Sequence, residues 1–171
     1  MASEFNNLSK YNQAKVPNGR EFSFAVIVSE YNDDITFAMR DACCNTLLEH
    51  GVLAENIVVE YAPGAYELPF VAQQIYLSFE VNAVIVLGCV IKGDTDHDIY
   101  INHSVSKALM DMTMDYETPF IFGLLTTNNH QQALDRAGGK HGNKGVECAI
   151  AALKVAQIKD ELIEEDDAYL N

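Results

Sequence analysis

The sequence predicts a doubly wound α/β protein, in which helices cover both faces of a parallel sheet of four strands. Four short segments consist almost entirely of apolar residues, as strands do when both faces of a parallel sheet are buried. Longer segments with apolar residues at three- and four-residue steps separate them, as amphipathic helices require. This alternation predicts crossover connections, and hence three layers: helix, sheet and helix.

A chain of 171 residues, 49% of them hydrophobic, is expected to fold around a core of its own. Residues 1–20 are polar and contain the turn Pro17-Asn18-Gly19. We interpret them as an N-terminal arm, and residues 21–171 as a single domain. The apolar runs are too short to cross a bilayer, and the start of the chain lacks the pattern of a secretory signal.

The strands are predicted at residues 22–28, 57–61, 82–91 and 120–125. The helices are predicted at residues 35–50, 65–79, 97–116, 129–137 and about 144–168. Gly51 is a stop signal for the first helix, and Pro63 with Gly64 precedes the second. The third helix carries its apolar stripe through Val105 and Leu109.

The net charge of −14 argues against nucleic acid as a partner, because it opposes binding to a phosphate backbone. Basic residues are scarce, yet Arg136, Lys140 and Lys144 follow one another at four-residue intervals. This cluster is either a site for an anion or a group of surface cations that balance nearby acids.

The four cysteines form no Cys-x-x-Cys pair, so the sequence predicts neither a zinc site nor a redox motif. We expect each to behave as a small buried hydrophobic residue in a reducing cytoplasm. They are Cys43, Cys44, Cys89 and Cys148.

Polar and aromatic residues follow each predicted strand, in segments 29–32, 62–67, 92–97 and 126–129. Ligands of doubly wound sheets bind outside the carboxyl ends of the strands. A ligand pocket lined by these four turns is therefore predicted.

The turn Gly93-Asp94-Thr95 precedes a predicted helix. Backbone N–H groups at a helix start favour an anion, and glycine lets the backbone approach it closely. In that case the Asp94 carboxylate has to point away from the anion or pair with a basic neighbour. The alternative is a plain turn in which Thr95 or Asp96 caps the helix.

His97 is a candidate for proton transfer, because an unperturbed imidazole titrates at about pH 6.5. The alternative is a solvent-facing helix residue. A metal site with His103 is not expected, because the two rings lie on different faces of the helix. Tyr31, Tyr66 and Phe122 either stack on a flat ring or pack in the core.

Six segments stand out for their order and spacing: VSEYN (28–32), PGAYELP (63–69), GCVIKGDTDH (88–97), FGLLTT (122–127), QALDRAG (132–138) and GNKGVE (142–147). Over about residues 22–156, the chain resembles the lumazine synthase family of riboflavin biosynthesis. The resemblance implies a flavodoxin-like sheet and a transferase without a cofactor. It also implies the substrates 5-amino-6-(D-ribitylamino)uracil and 3,4-dihydroxy-2-butanone 4-phosphate, which give 6,7-dimethyl-8-ribityllumazine, phosphate and water.

The resemblance also assigns site residues by motif position. The expected catalytic residues are His97 for proton transfer, Arg136 for the phosphate and Lys144 as a pocket residue. The expected substrate-binding residues are Tyr31, Asn32, Ala65, Tyr66, Glu67, Cys89, Val90, Ile91, Gly93, Asp94, Thr95, Phe122 and Arg136. Tyr31 would stack on the pyrimidine, and residues 65–67 would hold the ribityl chain.

The family further implies a homopentamer whose active site lies between neighbouring subunits. Phe122, Arg136 and Lys144 would come from one subunit, and His97 with the turn 93–95 from the next. The arm is expected to add a strand to a neighbour's sheet. Residues 136–145 contain no insertion, which is similar to members that form shells of sixty subunits, and riboflavin synthase is an expected partner.

Two departures from the family pattern concern the site. Asp98 and Ile99 follow the histidine, where the family usually has an aromatic and then an acidic residue. Tyr31 stands where the family often has Phe or Trp. Two other functions stay open at this point: a flavin- or lumazine-binding carrier without turnover, and a mainly structural shell.

Overall fold

The computed structural model describes residues 7–170, with the side chains of residues 7–163. Four parallel strands form its main sheet in the order β2-β1-β3-β4. These strands are β1 (Phe24–Ser29), β2 (Ile57–Ala62), β3 (Ala83–Ile91) and β4 (Phe120–Thr127). The predicted four-stranded parallel sheet is confirmed.

Five helices accompany the sheet: α1 (Asp33–Glu49), α2 (Leu68–Ser78), α3 (His97–Asp115), α4 (His130–Arg136) and α5 (Lys144–Leu170). Each overlaps a segment predicted to be helical, although α1 begins two residues before its predicted start and α5 extends about two residues beyond its predicted end. Helix α2 begins three residues later than expected, because residues 63–67 form a loop at the carboxyl end of β2. Pro69 is accommodated in its first turn, where a missing N–H costs nothing.

Two apolar layers cover the two faces of the sheet, as the near-continuous apolar strands require. Helices α1 and α5 pack on the face that carries Val26, Ile85 and Leu87. Helices α2 and α3 pack on the opposite face, against Ile27 and Val86. The predicted three-layer architecture is therefore confirmed.

Helix α5 crosses α1 at very short range. A Cβ atom on Gly145 would overlap the carbonyl oxygen of Met39 in α1. Only glycine therefore allows this approach, which sets where α5 begins and where Lys144 lies.

Two features of the fold were not predicted. Strand β2 is an edge strand with Glu60 and Tyr61 exposed, so it is not buried on both faces as expected. A small antiparallel hairpin of β5 (Ala137–Gly139) and β6 (Gly142–Asn143) connects α4 to α5.

The N-terminal segment from residue 7 lies against the domain. Asn12 caps a 3-10 turn at Gln13–Lys15, and the Tyr11 hydroxyl lies 3.2 Å from His50 Nε2. Residues 1–6 of the predicted arm lie outside the described residues. Within the described part of the chain, no helix has the length and apolar character needed to span a membrane.

Candidate active site

A cavity of about 450 Å³ opens at the carboxyl edge of the sheet, above the ends of β1, β2 and β3. The strand order reverses between β1 and β3, and such a switch point is where doubly wound sheets bind ligands. The lining residues are Tyr31, Asn32, Gly64, Ala65, Tyr66, Glu67, Cys89, Val90, Ile91, Gly93, Thr95, His97, Asp98 and Ile101.

Asn32 fixes the wall of this cavity between β1 and β3. Its backbone adopts a left-handed conformation (φ 60°, ψ 50°), which asparagine tolerates better than most residues. The side-chain amide makes no capping hydrogen bond to α1. It donates a hydrogen bond to the Cys89 carbonyl at 3.0 Å instead. Thr36 closes the same turn by donating to the Ser29 carbonyl at 2.7 Å.

The rings of Tyr31 and Tyr66 stand at the cavity and do not pack in the core. Tyr31 is 71% exposed and Tyr66 is 64% exposed. Exposed aromatic rings beside a cavity present their faces to a flat ligand, so stacking is available to both.

The turn after β3 supplies backbone N–H groups and an imidazole. Asp96 occupies the N-cap position of α3, but its side chain makes no capping hydrogen bond. The structure therefore contradicts the alternative in which the Asp96 side chain caps the helix. His97 begins α3 as expected and lines the cavity with Gly93 and Thr95.

Asp98 lines the cavity beside His97, although no role was predicted for it. Its Oδ1 atom is buried and accepts no hydrogen bond from the described residues. Asn102 Oδ1, one turn further along α3, has the same character. The four-residue spacing of Asp98 and Asn102, which places them on one face of α3, is the only sequence feature that could have pointed to this pair.

A second cavity, of about 500 Å³, lies beyond β4 and contains Arg136 with Thr126, Gln132, Lys140 and His141 among its lining residues. Arg136 ends α4 and is 17% exposed. A hairpin built from Gly138, Gly139 and Gly142 follows it and turns the chain back toward α5.

Glu147 holds the Arg136 guanidinium from the first turn of α5. Arg136 Nη1 lies 2.7 Å from Oε1, and Nη2 donates to Oε2 at 3.0 Å. Lys144 Nζ also contacts Oε2, at 3.3 Å. Two cations thus share one carboxylate, and the cluster keeps a net positive charge.

These contacts change the titration of Glu147. Burial acts on the carboxyl most strongly and favours its neutral form, but three other influences outweigh burial. They are the hydrogen bond from Arg136, the charges of Lys144 and Arg136, and the Lys144 hydrogen bond. The pKa of Glu147 is therefore lowered, and the carboxylate is ionised at neutral pH.

The predicted site residues fall into two groups. Eleven of the predicted residues line the first cavity, from Tyr31 to His97, whereas Arg136 lines the second. Phe122 lies on the edge strand β4, 39% exposed, and is not among the residues lining the first cavity. Asp94 is exposed in its turn, and Lys144 is held by Glu147.

The cysteines are all free, and Cys43, Cys89 and Cys148 are buried as expected, whereas Cys44 is half-buried. Cys89 lines the cavity, but burial, assisted by the charge of Asp34, raises the pKa of its thiol to about 12. A thiol with this pKa is protonated at neutral pH and is a poor nucleophile. Cys89 is therefore part of the cavity wall without acting as a nucleophile.

Among the described residues, no cluster of three His, Cys, Asp or Glu side chains could hold a metal ion. The strand order and the cavity at its switch point define a flavodoxin-like α/β protein that binds a small organic ligand. The second cavity is lined by the cations Arg136 and Lys140 and by Asp135, whose carboxylate lies 3.4 Å from Lys140 Nζ.

Comparisons with known proteins identify the family. The family model for 6,7-dimethyl-8-ribityllumazine synthase matches residues 21–160. A 6,7-dimethyl-8-ribityllumazine synthase of Parabacteroides distasonis is 46% identical over 155 residues, which cover 91% of this chain and 97% of the relative. One from Porphyromonas gingivalis is 44% identical, with 93% and 99% covered. The chain belongs to the 6,7-dimethyl-8-ribityllumazine synthase family.

Proposed function

We propose that this chain condenses 5-amino-6-(D-ribitylamino)uracil with 3,4-dihydroxy-2-butanone 4-phosphate. The products are 6,7-dimethyl-8-ribityllumazine, phosphate and water, and the reaction is the penultimate step of riboflavin biosynthesis. The observation that carries this proposal is the family match over residues 21–160, which contains all six motif segments. Relatives named for this activity match along nearly their whole length.

The first cavity is the proposed pyrimidine site. Its size suits a single heterocycle with a short polyol chain. Tyr31 is the ring proposed to stack on the pyrimidine, and the backbone of residues 89–91 would read the ring's edges. Ala65, Tyr66 and Glu67 would hold the ribityl hydroxyls, for which the Glu67 carboxylate supplies acceptors.

Arg136 is the proposed partner of the substrate phosphate. Its Nη1 is engaged by Glu147 and by the His141 carbonyl, and one Nη2 hydrogen is donated to Glu147. The Nε hydrogen and the second Nη2 hydrogen are not used by these contacts. Together they form a planar fork that matches two phosphate oxygens. The backbone of Gly93, Asp94 and Thr95 would supply further donors.

His97 is the proposed proton-transfer residue. The primary amine of the pyrimidine attacks the ketone carbon and forms an imine with loss of water. Phosphate is then eliminated to leave an enol, which tautomerises to a ketone before the ring closes with loss of water. Each step moves a proton, and an imidazole near its pKa can both accept and donate one.

The split between the two cavities supports a shared active site. Because Arg136 and His97 line different cavities of the same chain, one subunit alone leaves the phosphate site incomplete. We propose a homopentamer in which Phe122, Arg136 and Lys144 of one subunit complete the pyrimidine cavity of the next. The exposed ring of Phe122 on an edge strand supports this arrangement.

The finer points of assembly are proposals too. The arm was expected to add a strand to a neighbour's sheet, but Leu8, Ser9 and Tyr11 bond to His141, Asn143 and His50 of the same chain, so the proposal keeps these residues on their own subunit. The short connection between α4 and α5 suits a shell of sixty subunits. Such a shell would take riboflavin synthase as its partner. Sedimentation velocity separates a pentamer from a shell, and a monomer at working concentrations would contradict the shared site. Four free thiols support a reducing cytoplasm as the compartment.

The direct test is the absorbance of lumazine formed from the two purified substrates. We expect turnover without added metal or cofactor. Binding of the pyrimidine without any lumazine would identify the protein as a carrier, which is the alternative left open by the sequence. The relatives' names do not favour that alternative.

A further inference from the structure

Residues 7–9, the strap, lie across β6 and the start of α5. The Ser9 hydroxyl accepts a hydrogen bond from the Asn143 N–H at 2.6 Å and donates one to the Asn143 carbonyl at 2.9 Å. The Ser9 hydroxyl therefore satisfies both the N–H and the carbonyl of Asn143, as a neighbouring strand would. Ser9 Oγ also lies 3.5 Å from Glu147 Oε1.

The strap and the guanidinium of Arg136 meet at the same backbone atom. The Leu8 N–H donates to the His141 carbonyl oxygen at 3.0 Å. Arg136 Nη1 donates to that same oxygen, also at 3.0 Å. A shift of this carbonyl would therefore disturb the strap and the guanidinium together.

The hairpin is shaped to receive the strap. Gly142 has φ +87°, and a Cβ atom there would overlap Asn7 Oδ1 and Ser9 Oγ. The Asn7 carboxamide in turn accepts a hydrogen bond from the Ser9 N–H at 2.9 Å, which fixes the bend of the strap. Glycine is thus needed at Gly142 both for its backbone angle and for the space that the strap occupies.

Bonds other than those of the strap also hold the hairpin: Asn143 Nδ2 donates to the Ala137 and Ala38 carbonyls at 2.9 and 3.2 Å, and the His141 N–H donates to the Asp135 carbonyl at 2.9 Å. The hairpin's two strands span three and two residues and their register is irregular, so few backbone hydrogen bonds hold it. The strap adds three bonds, two to Asn143 and one to His141. Since a misplacement of about 1 Å at a binding group can cost a large factor in rate, this support matters for Arg136.

We propose that the strap positions Arg136 for an anionic ligand, and that Ser9 is its principal positioning residue. Ser9 is not proposed to touch the substrate. Ser9 acts through Asn143 and Glu147, and the neighbouring Leu8 acts through His141; we propose that these contacts set the direction of the guanidinium fork. The identity of the anion as the substrate phosphate rests on the proposed function, whereas the positioning role rests on the contacts alone.

The test compares wild type with Ser9→Ala, Ser9→Thr and the control Ser78→Ala in the full chain. Ser78 is exposed and bonds only to the Gln74 carbonyl of its own helix among the described contacts. We expect Ser9→Ala to raise the KM for the phosphorylated ketone about fivefold and the KM for the pyrimidine less than about twofold. Ser9→Thr retains the hydroxyl and should restore both values. An unchanged KM for the ketone, or an equal rise in both, overturns the proposal.

A binding measurement makes the test independent of turnover. The affinity for inorganic phosphate is measured by calorimetry for the same variants and for Arg136→Ala, which should abolish binding. We expect Ser9→Ala to bind phosphate about fivefold more weakly. If wild type binds phosphate but makes no lumazine, the proposed function is refuted. The strap proposal is then decided by the phosphate affinities of wild type and Ser9→Ala alone. Wild type that binds no phosphate, or equal affinity in Ser9→Ala, overturns the strap proposal.

Discussion

The side-chain amide of Asn32 donates a hydrogen bond to the Cys89 carbonyl at 3.0 Å and so joins the carboxyl ends of β1 and β3. The bond lies at the point where the strand order reverses, in the wall of the first cavity. It depends on a left-handed backbone at Asn32, because that conformation turns the side chain away from α1 and toward β3.

Replacement of Asn32 by alanine should therefore have two separable effects. Asn32→Ala loses the bond and places at φ 60° a residue that tolerates a left-handed backbone less well than asparagine, so we expect a loss of about 2 kcal/mol in the free energy of unfolding. Asn32→Gly loses the bond without the backbone cost and should recover about half of that. Denaturant melts of the two variants measure the difference. Equal stability of Asn32→Gly and wild type would show that the bond contributes nothing.

His97→Ala should lower kcat about 100-fold and change the affinity for the pyrimidine by less than about threefold, because proton transfer is lost and contact area is not. Steady-state kinetics and calorimetry give the two values. His103→Ala is the control, since His103 is exposed on the same helix and away from the cavity lining. A loss confined to pyrimidine affinity would contradict the role assigned to His97.

Arg136→Lys should raise the KM for the phosphorylated ketone at least about tenfold, because an ammonium group cannot form the planar fork. The same change at Arg40, which pairs with Asp41 at the surface, is the control and should leave KM unaltered. Both are measured with the pyrimidine held at saturation. Equal weakening of pyrimidine binding in Arg136→Lys would count against a phosphate role.

Glu147→Gln should change how stability depends on pH. Since the folded-state pKa of Glu147 is lowered, its ionisation stabilises the fold above the unfolded-state value of about 4.5. That contribution is lost as the pH falls through the lowered folded-state pKa. Wild type should therefore exceed Glu147→Gln in stability at pH 7, and the difference should shrink below about pH 4.

Urea melts at pH 7, 5, 4 and 3 test this expectation, with Glu55→Gln as the matched exposed control. The control should follow wild type at every pH. If the difference in unfolding free energy between wild type and Glu147→Gln stays constant down to pH 3, the ion pair of Glu147 is not its cause.

The sheet could be predicted because its signal is local: buried parallel strands are apolar throughout, and Gly51 and Pro63 mark the breaks between elements. The cavity could be predicted because topology alone brings the turns after β1, β2 and β3 together. The prediction that the turn after β4 lines the same cavity was wrong, since Thr126 and Thr127 line the second cavity. The hairpin of Ala137–Gly139 and Gly142–Asn143 could not, since strands this short have no periodicity. The exposure of strand β2 could not be predicted, because an apolar run does not reveal that the strand lies at an edge.

Contacts between residues that are distant in the chain could not be predicted from the sequence either. Ser9 and Asn143 lie far apart in the chain, and nothing in a polar arm identifies which backbone groups it will bond. Glu147 stood in a recognisable segment, but its partner Arg136 belongs to another helix. The split of the predicted site between two cavities follows from such long-range geometry.

The carboxylate that grips Arg136 also limits how tightly any anion can be held. With part of its donor set already committed to a permanent internal counter-ion, the guanidinium offers an incoming oxyanion one edge and a partly neutralised charge. Sulfate and other bystander salts should consequently compete weakly, and a released product anion should escape without a large energetic barrier. A moderate anion affinity of this kind suits an enzyme that must release its product anion in every turnover.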